Sequence, residues 1–180
     1  MRLKRIICLT TAVLSVFLFA SCSGDTSGGA DLSSFQSVDV ENNAVDQSVF
    51  KDDKLTMINI WGTFCGPCIN EMPDLGELSQ EYSGKGVQII GIPIDVMDYS
   101  GAISEDVLAT AKEIIDKTGA DYMHILPSES LYNAKLYQVS SIPETIFVDK
   151  DGKQVGESYI GSRTKEQWKE IIDGLLVDVE

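Results

Sequence analysis

The chain has 180 residues, 43% of them hydrophobic, with 14 basic against 28 acidic side chains and a formal net charge of −14. That size suits one domain with a core of useful volume. The acidity argues against nucleic-acid binding and against docking on anionic lipid through a basic patch.

The N-terminus reads as an export signal. Met1-Arg2-Leu3-Lys4-Arg5 is basic, and Ile6 to Ala20 is an apolar run too short for an ordinary membrane span. It ends at Phe19-Ala20-Ser21-Cys22, small residues directly before a cysteine, which resembles a bacterial lipobox although Phe19 departs from the usual Leu. The resemblance implies that Cys22 is acylated, becomes the mature N-terminus and anchors the chain in the lipid bilayer. An ordinary cleaved signal and an uncleaved anchor are the alternatives, and all three place the domain outside the cytoplasm. Residues 1–21 are thus expected to be a signal peptide. Residues 22–34, rich in Ser, Gly and Asp, are expected to be a flexible tether with a reach of roughly 20 Å. Residues 35–180 are expected to form the domain.

Within the domain, strand and helix patterns alternate. Phe35–Val40 alternates loosely and Glu41-Asn42-Asn43 turns the chain. Leu55–Trp61 reads as a buried strand. A helix follows the cysteines to about Tyr82, with Ile69, Met72, Leu75 and Leu78 inward and Pro73 expected to kink it. Val87–Asp95 is a second buried strand, with Pro93 tolerable only near its end. Ser104–Thr118 carries a helical stripe of Val107, Leu108, Ala111, Ile114 and Ile115, stopped by Gly119. Tyr122–Leu126 is a short strand and Glu129–Tyr137 a short helix. Thr145–Val148 is a third buried strand, and Asp149-Lys150-Asp151-Gly152 turns it into Gln154–Ile160. Thr164 and Gln167 form a capping box for a last helix with Trp168, Ile171, Ile172, Leu175 and Leu176 inward. The fold class is α/β: a central mixed β-sheet with helices on both faces.

The chemistry lies in Cys65-Gly66-Pro67-Cys68. If Cys8 leaves with the signal and Cys22 is acylated, these two thiols alone remain free. A structural staple over two residues would constrain little of the unfolded chain. Zinc needs about four ligands, and the chain offers one His, His124, and no second Cys pair. A Cys-x-x-Cys at a strand-to-helix junction is a redox pair: the helix N-terminus favours the first thiolate, and the second sulfur lies one turn on.

With Ile60-Trp61-Gly62-Thr63-Phe64-Cys65-Gly66-Pro67-Cys68, Asn70-Glu71-Met72-Pro73, Ser141-Ile142-Pro143-Glu144-Thr145 and Val148-Asp149-Lys150-Asp151-Gly152-Lys153 in order, residues 35–178 resemble the thioredoxin superfamily. More narrowly they resemble its TlpA/ResA-type membrane-anchored thiol-disulfide oxidoreductases. Ser104–Thr118 and the following strand correspond to the helix-strand insertion of that branch, after the second βα unit. Two departures stand out. Phe64 replaces the usual Trp at the rim of the site, and Asn59 stands where cytoplasmic thioredoxins carry a buried Asp.

The resemblance implies residue roles. Cys65 attacks a substrate disulfide and Cys68 resolves the mixed disulfide. Gly66 and Pro67 shape the start of the helix, and a Gly-Pro linker belongs to reducing members. Pro143 is expected in the cis form, offering the Ile142 main chain to an extended substrate. Glu71 lies on the helix face of Cys68 and tunes the thiols or moves a proton; a solvated surface Glu is the alternative. Trp61 packs beneath the site, for which a pure core role is equally open. Glu144 is placed at the substrate rim, and His124 is expected to be a strand residue without chemistry. The resemblance implies protein disulfides as substrates, apocytochrome c cysteines among them, and repair of exported proteins is equally open. No cofactor motif is present, so electrons would come from a membrane-embedded thiol carrier. Two other readings remain open: a thiol peroxidase, although Gly62 occupies the position of the Thr such enzymes need, and a lipoprotein binding module such as a metallochaperone, which would need His124 near the cysteines.

Overall fold

The computed structural model describes residues 29–179; the expected signal segment, Cys8 and Cys22 lie outside the described residues. A five-stranded mixed sheet in the order β5-β4-β3-β6-β7 forms the centre. Its strands are β3 (Leu55–Trp61), β4 (Val87–Pro93), β5 (Met123–His124), β6 (Glu144–Asp149) and β7 (Gln154–Ile160). β3, β4 and β5 run parallel, and β6 and β7 add antiparallel. Before them, β1 (Gln36–Val38) and β2 (Ala44–Asp46) pair antiparallel in a separate two-stranded sheet. Asn42 makes the turn between them with a positive φ of 66°.

Every residue of β3 is buried, as a central strand covered on both faces requires. Its period of two splits the core. Leu55, Met57 and Trp61 join the cluster packed by α1 (Gly66–Tyr82), α2 (Glu105–Thr118) and α4 (Lys165–Asp178), whereas Ile58 and Ile60 join the opposite cluster with Phe35, Phe50, Leu131 and Ile146. Asn59 therefore faces the α1 side. α3 (Glu129–Ala134) is followed by a 3-10 turn at Leu136–Gln138, so the helix expected to Tyr137 ends early.

α1 runs on through Pro73, whose ring is exposed. Met72, Leu75 and Leu78 are fully buried beneath it, each worth about 1.5–3 kcal/mol of apolar transfer. Gly76 allows α1 to meet the end of α2: a Cβ there would stand 2.4 Å from the Gly119 carbonyl oxygen. Gly119 itself closes α2 in the left-handed conformation, at φ 65°. The capping box of α4 is present, with Gln167 N–H donating to Thr164 Oγ1 and Thr164 N–H to Gln167 Oε1.

The start of the folded chain differs from expectation. Ala30 and Leu32, placed in the flexible tether from sequence, are 3% and 2% exposed. Leu32 N–H donates to the Gly152 carbonyl and Gln154 N–H to that of Ala30, while Asp31 pairs with Lys153. Residues 30–32 thus lie along the β6–β7 turn, bonded through backbone groups that an apolar-poor composition does not reveal.

Candidate active site

β3 delivers Trp61 to the end of the sheet, and the chain then turns through Gly62 to Cys65, closed by Cys65 N–H donating to the Gly62 carbonyl at 3.0 Å. Cys65 is the N-cap residue of α1. Its backbone is extended, and its sulfur accepts from Cys68 N–H at 3.3 Å. The sulfur therefore sits where the first-turn amides and the helix dipole favour negative charge. Cys65 and Cys68 form a disulfide with Cα atoms 5.3 Å apart. Cys65 is 7% exposed and Cys68 0%, so the outer residue alone offers an edge to solvent. Gly66 and Pro67 are exposed at the helix start, and Phe64 stands out at 75% exposure beside them. Trp61 is fully buried in the same apolar cluster as both cysteines.

The turn before Cys65 is braced on two sides. Thr63 donates to the Asp95 carboxylate through N–H at 3.1 Å and through Oγ1 at 2.5 Å. A Cβ on Gly62 would meet Ile142 Cδ1 at 2.9 Å, so the turn packs closely against the Ile142 side chain and a larger residue here would have to displace its terminal methyl. The Ile142–Pro143 peptide is cis and Pro143 is buried. The peroxidase reading has no such threonine to draw on: residue 62 is glycine, packed beside the Ile142 side chain.

Glu71 is not a solvated surface residue. It is 3% exposed and accepts three hydrogen bonds: Asn59 Nδ2 at 3.1 Å on Oε1, and Arg163 N–H at 3.1 Å with Trp168 Nε1 at 3.3 Å on Oε2. Burial raises its pKa above the ordinary value, an effect partly offset by these donors and the nearby Arg163 charge. Asn59 also donates to Thr145 Oγ1, tying β3 to β6 beneath the helix. A cleft of about 260 Å³ lined by Pro67, Asn70, Glu71 and Arg163 connects this carboxyl to the surface near the helix start. At the strand position that lacks an acid, Asn59 is thus hydrogen-bonded directly to a carboxylate from α1. Two of the three partners of Glu71 lie 92 and 97 residues away, at Arg163 and Trp168, and no local sequence signal announces them.

Glu144 departs from its expected place at the substrate rim. It is 3% exposed and pairs with Lys135, itself 5% exposed, at 2.5 Å. The ion pair lies directly behind the cis-proline rather than on the surface. His124 is buried, donates through Nε2–H to the Ala120 carbonyl at 3.1 Å, stacks on Tyr122 at 4.6 Å and meets Trp61 edge-on at 5.8 Å. Its ring lies over Gly91, where a Cβ would stand 2.2 Å from Nδ1. Among the described residues no group of three or more His, Cys, Asp or Glu is placed to hold a metal ion.

A dithiol/disulfide pair capping a helix, beside a cis-proline loop and on a mixed sheet of this order, defines a thioredoxin-fold protein of the thiol-disulfide oxidoreductase class. The chain belongs to the Redoxin family, which its residues 26–173 match, and within it to the ResA-like thiol-disulfide oxidoreductases. It is 34% identical over 147 residues to the thiol-disulfide oxidoreductase ResA of Bacillus thuringiensis subsp. konkukian, covering 80% of this chain and 76% of that one. Among solved structures it resembles a thiol:disulfide interchange protein of the thioredoxin family from Chlorobium tepidum, with a TM-score of 0.67 at 22% identity over 82% of this chain and 97% of that one. The exposed lipoprotein thioredoxin of Streptococcus pneumoniae has the same fold, with a TM-score of 0.59 at 23% identity over 79% and 99% of the two chains.

Proposed function

We propose that this thiol-disulfide oxidoreductase works outside the cytoplasm, anchored through acylated Cys22, as a reductant of disulfides in exported proteins. The observation that carries the chemistry is the Cys65–Cys68 disulfide at the N-terminus of α1, with the outer residue at 7% exposure and the inner at 0%. In the reduced protein the Cys65 thiolate attacks one sulfur of the substrate disulfide. The S–S bond breaks, one substrate thiolate leaves, and a Cys65–substrate mixed disulfide forms. Cys68 then loses its proton and attacks Cys65 Sγ. This closes the Cys65–Cys68 bond and expels the second substrate thiolate. Two electrons pass from the protein dithiol to the substrate; of the two protons that end on the substrate thiols, one comes from Cys68 and one from solvent, which took the Cys65 proton when its thiolate formed.

Glu71, held by Asn59, Arg163 and Trp168 on the helix face of Cys68, is the group that takes the Cys68 proton. Trp61 and Phe64 wall the site, Gly66 and Pro67 set the helix start, and the cis Ile142–Pro143 loop presents the Ile142 main chain to an extended substrate segment. A membrane-embedded thiol carrier restores the dithiol. Apocytochrome c cysteines and misoxidised exported proteins are the substrate classes this role admits. The export signal, the lipobox-like Cys22 and the Gly-Pro linker support this reading.

Trapping tests it. A Cys68→Ser variant is expected to accumulate a mixed disulfide through Cys65 when mixed with an oxidised protein substrate, and Cys65→Ser is expected to accumulate none. A trapped adduct on Cys68 in the Cys65→Ser variant, with full exchange activity, would overturn the assignment.

A further inference from the structure

A cleft of about 850 Å³ lies between the loop after β4 and the α3 segment, and the oxidoreductase chemistry leaves it unused. Its lining carries three phenol rings, Tyr99, Tyr132 and Tyr137, and three carboxylates, Asp95, Asp98 and Glu129, with no Lys, Arg or His. Two of the rings are unusually open to solvent: Tyr137 is 75% exposed and Tyr99 entirely so. Large exposed aromatics grouped on one face mark a contact surface more often than chance scatter. The cleft shares a wall with the redox site, because Asp95 both lines it and braces the Thr63 turn that carries Cys65.

The walls are built rather than slack. The Tyr132 and Tyr137 rings lie 5.1 Å apart, and Tyr132 sits beside the Ile94 carbonyl at 3.5 Å. The loop bearing Tyr99 is folded on itself: the Asp98 carboxylate accepts from Ser100 N–H, Ser100 Oγ and Ala102 N–H, and Met97 bridges to Ile103. Asp98 thereby stays ionised, its pKa held below the ordinary value by these donors.

Ring faces and carboxylates together select one ligand chemistry, a cation on an apolar stem. The rings attract it through their quadrupoles and pack its methylenes, and the carboxylates attract its charge. An anionic segment meets repulsion here. A second copy of this chain, at net charge −14, is a poor occupant for the same reason. We infer that this cleft binds an Arg or Lys side chain of the substrate polypeptide, within a few residues of the cysteine being exchanged, so that the enzyme prefers disulfides in basic sequence. The inference rests on the oxidoreductase reading above and adds its substrate class.

The test uses the full chain, reduced, against synthetic peptides whose single cysteine is blocked as a mixed disulfide with a chromogenic thiol. Arg is placed at each flanking position in turn, with citrulline and Glu peptides as matched controls. Citrulline keeps the shape of Arg and removes its charge. The best-placed Arg peptide is expected to exchange about tenfold faster than its citrulline twin, the scale of one or two cation–π contacts, and the Glu peptide slowest. Tyr99→Ser with Tyr137→Ser is expected to erase the Arg-to-citrulline ratio and Tyr99→Phe to keep it. Equal rates for Arg and citrulline at every position overturn the inference. So does an Arg preference that survives loss of both tyrosines, since overall charge then explains it. Failure of all peptides to exchange overturns the oxidoreductase reading itself, a distinct outcome.

Discussion

The Lys135–Glu144 pair offers a quantitative test of how the cis-proline loop is held. Both side chains are nearly removed from solvent, at 6% and 4% exposure, and Lys135 has one further polar neighbour, Ser158 Oγ at 3.5 Å. Removing one partner leaves the other charge buried with little to compensate it. Breaking a buried pair in this way costs about 3–5 kcal/mol, whereas replacing both partners by apolar residues of similar volume is close to neutral. Glu144→Leu is therefore expected to lower stability by about 3–5 kcal/mol, a large share of the ~5–15 kcal/mol of a typical domain. At about 2–4 °C per kcal/mol that is a fall in Tm of roughly 6–20 °C. Lys135→Met in the Glu144→Leu background is expected to recover most of it. Urea unfolding of the wild type, both single variants and the double variant closes the cycle. Because Glu144 follows Pro143 directly, peptide-disulfide exchange is expected to fall in the single variants and to recover in the double variant. Single variants within about 1 kcal/mol of wild type, or a double variant as unstable as the sum of the singles, would refute the reasoning.

Two buried titratable groups give opposite pH signatures. The Glu71 carboxyl is raised above its ordinary value by burial, so its contribution is fully present at acid pH and is lost as pH rises through the folded value. Unfolding free energies across that range are expected to fall less steeply with pH in Glu71→Gln than in wild type. In stopped-flow exchange, loss of the proton acceptor is expected to slow release from the mixed disulfide about a hundredfold; an unchanged release rate would remove Glu71 from the proton path. His124 behaves in the other sense. Burial depresses it to about 4, so the folded state keeps it neutral while the unfolded chain protonates, and stability is lost as pH falls from the ordinary value of 6.5 towards 4. The loss is about 3 kcal/mol at the acid end, and His124→Phe, which keeps the stack on Tyr122, is expected to lack that slope in pH-dependent urea titrations.

The fold was legible where a pattern repeats locally. β3 shows as an apolar run, α2 as a stripe closed by Gly119, and α4 as a capping box followed by Trp168 and Ile172, and each stands within a residue or two of its expected limits. The Cys65–Cys68 pair was legible because its spacing alone fixes one helical turn. Contacts between distant segments were hidden. Nothing near Glu71 in sequence points to Arg163 or Trp168, and Lys135 and Glu144 look like two ordinary surface charges until the α3 segment folds against β6. Asp95, the strut under Thr63, reads in sequence only as the last residue of the second strand. The docking of Ala30 and Leu32 has no local signal because it depends on the backbone at Gly152 and Gln154, and two apolar residues among Ser, Gly and Asp set no period.

On the function proposed above, the Cys65–Cys68 pair is a reversible two-electron couple that gives electrons away. Equilibrating the full chain with graded dithiothreitol or glutathione mixtures, then locating free thiols by alkylation and mass spectrometry, tests it most directly. One transition is expected, confined to these two cysteines, with a potential closer to about −270 mV than to about −120 mV. A transition near the latter, or a Cys65–Cys68 bond that stays closed under mixtures reducing enough to open a reference disulfide of about −270 mV, would contradict it.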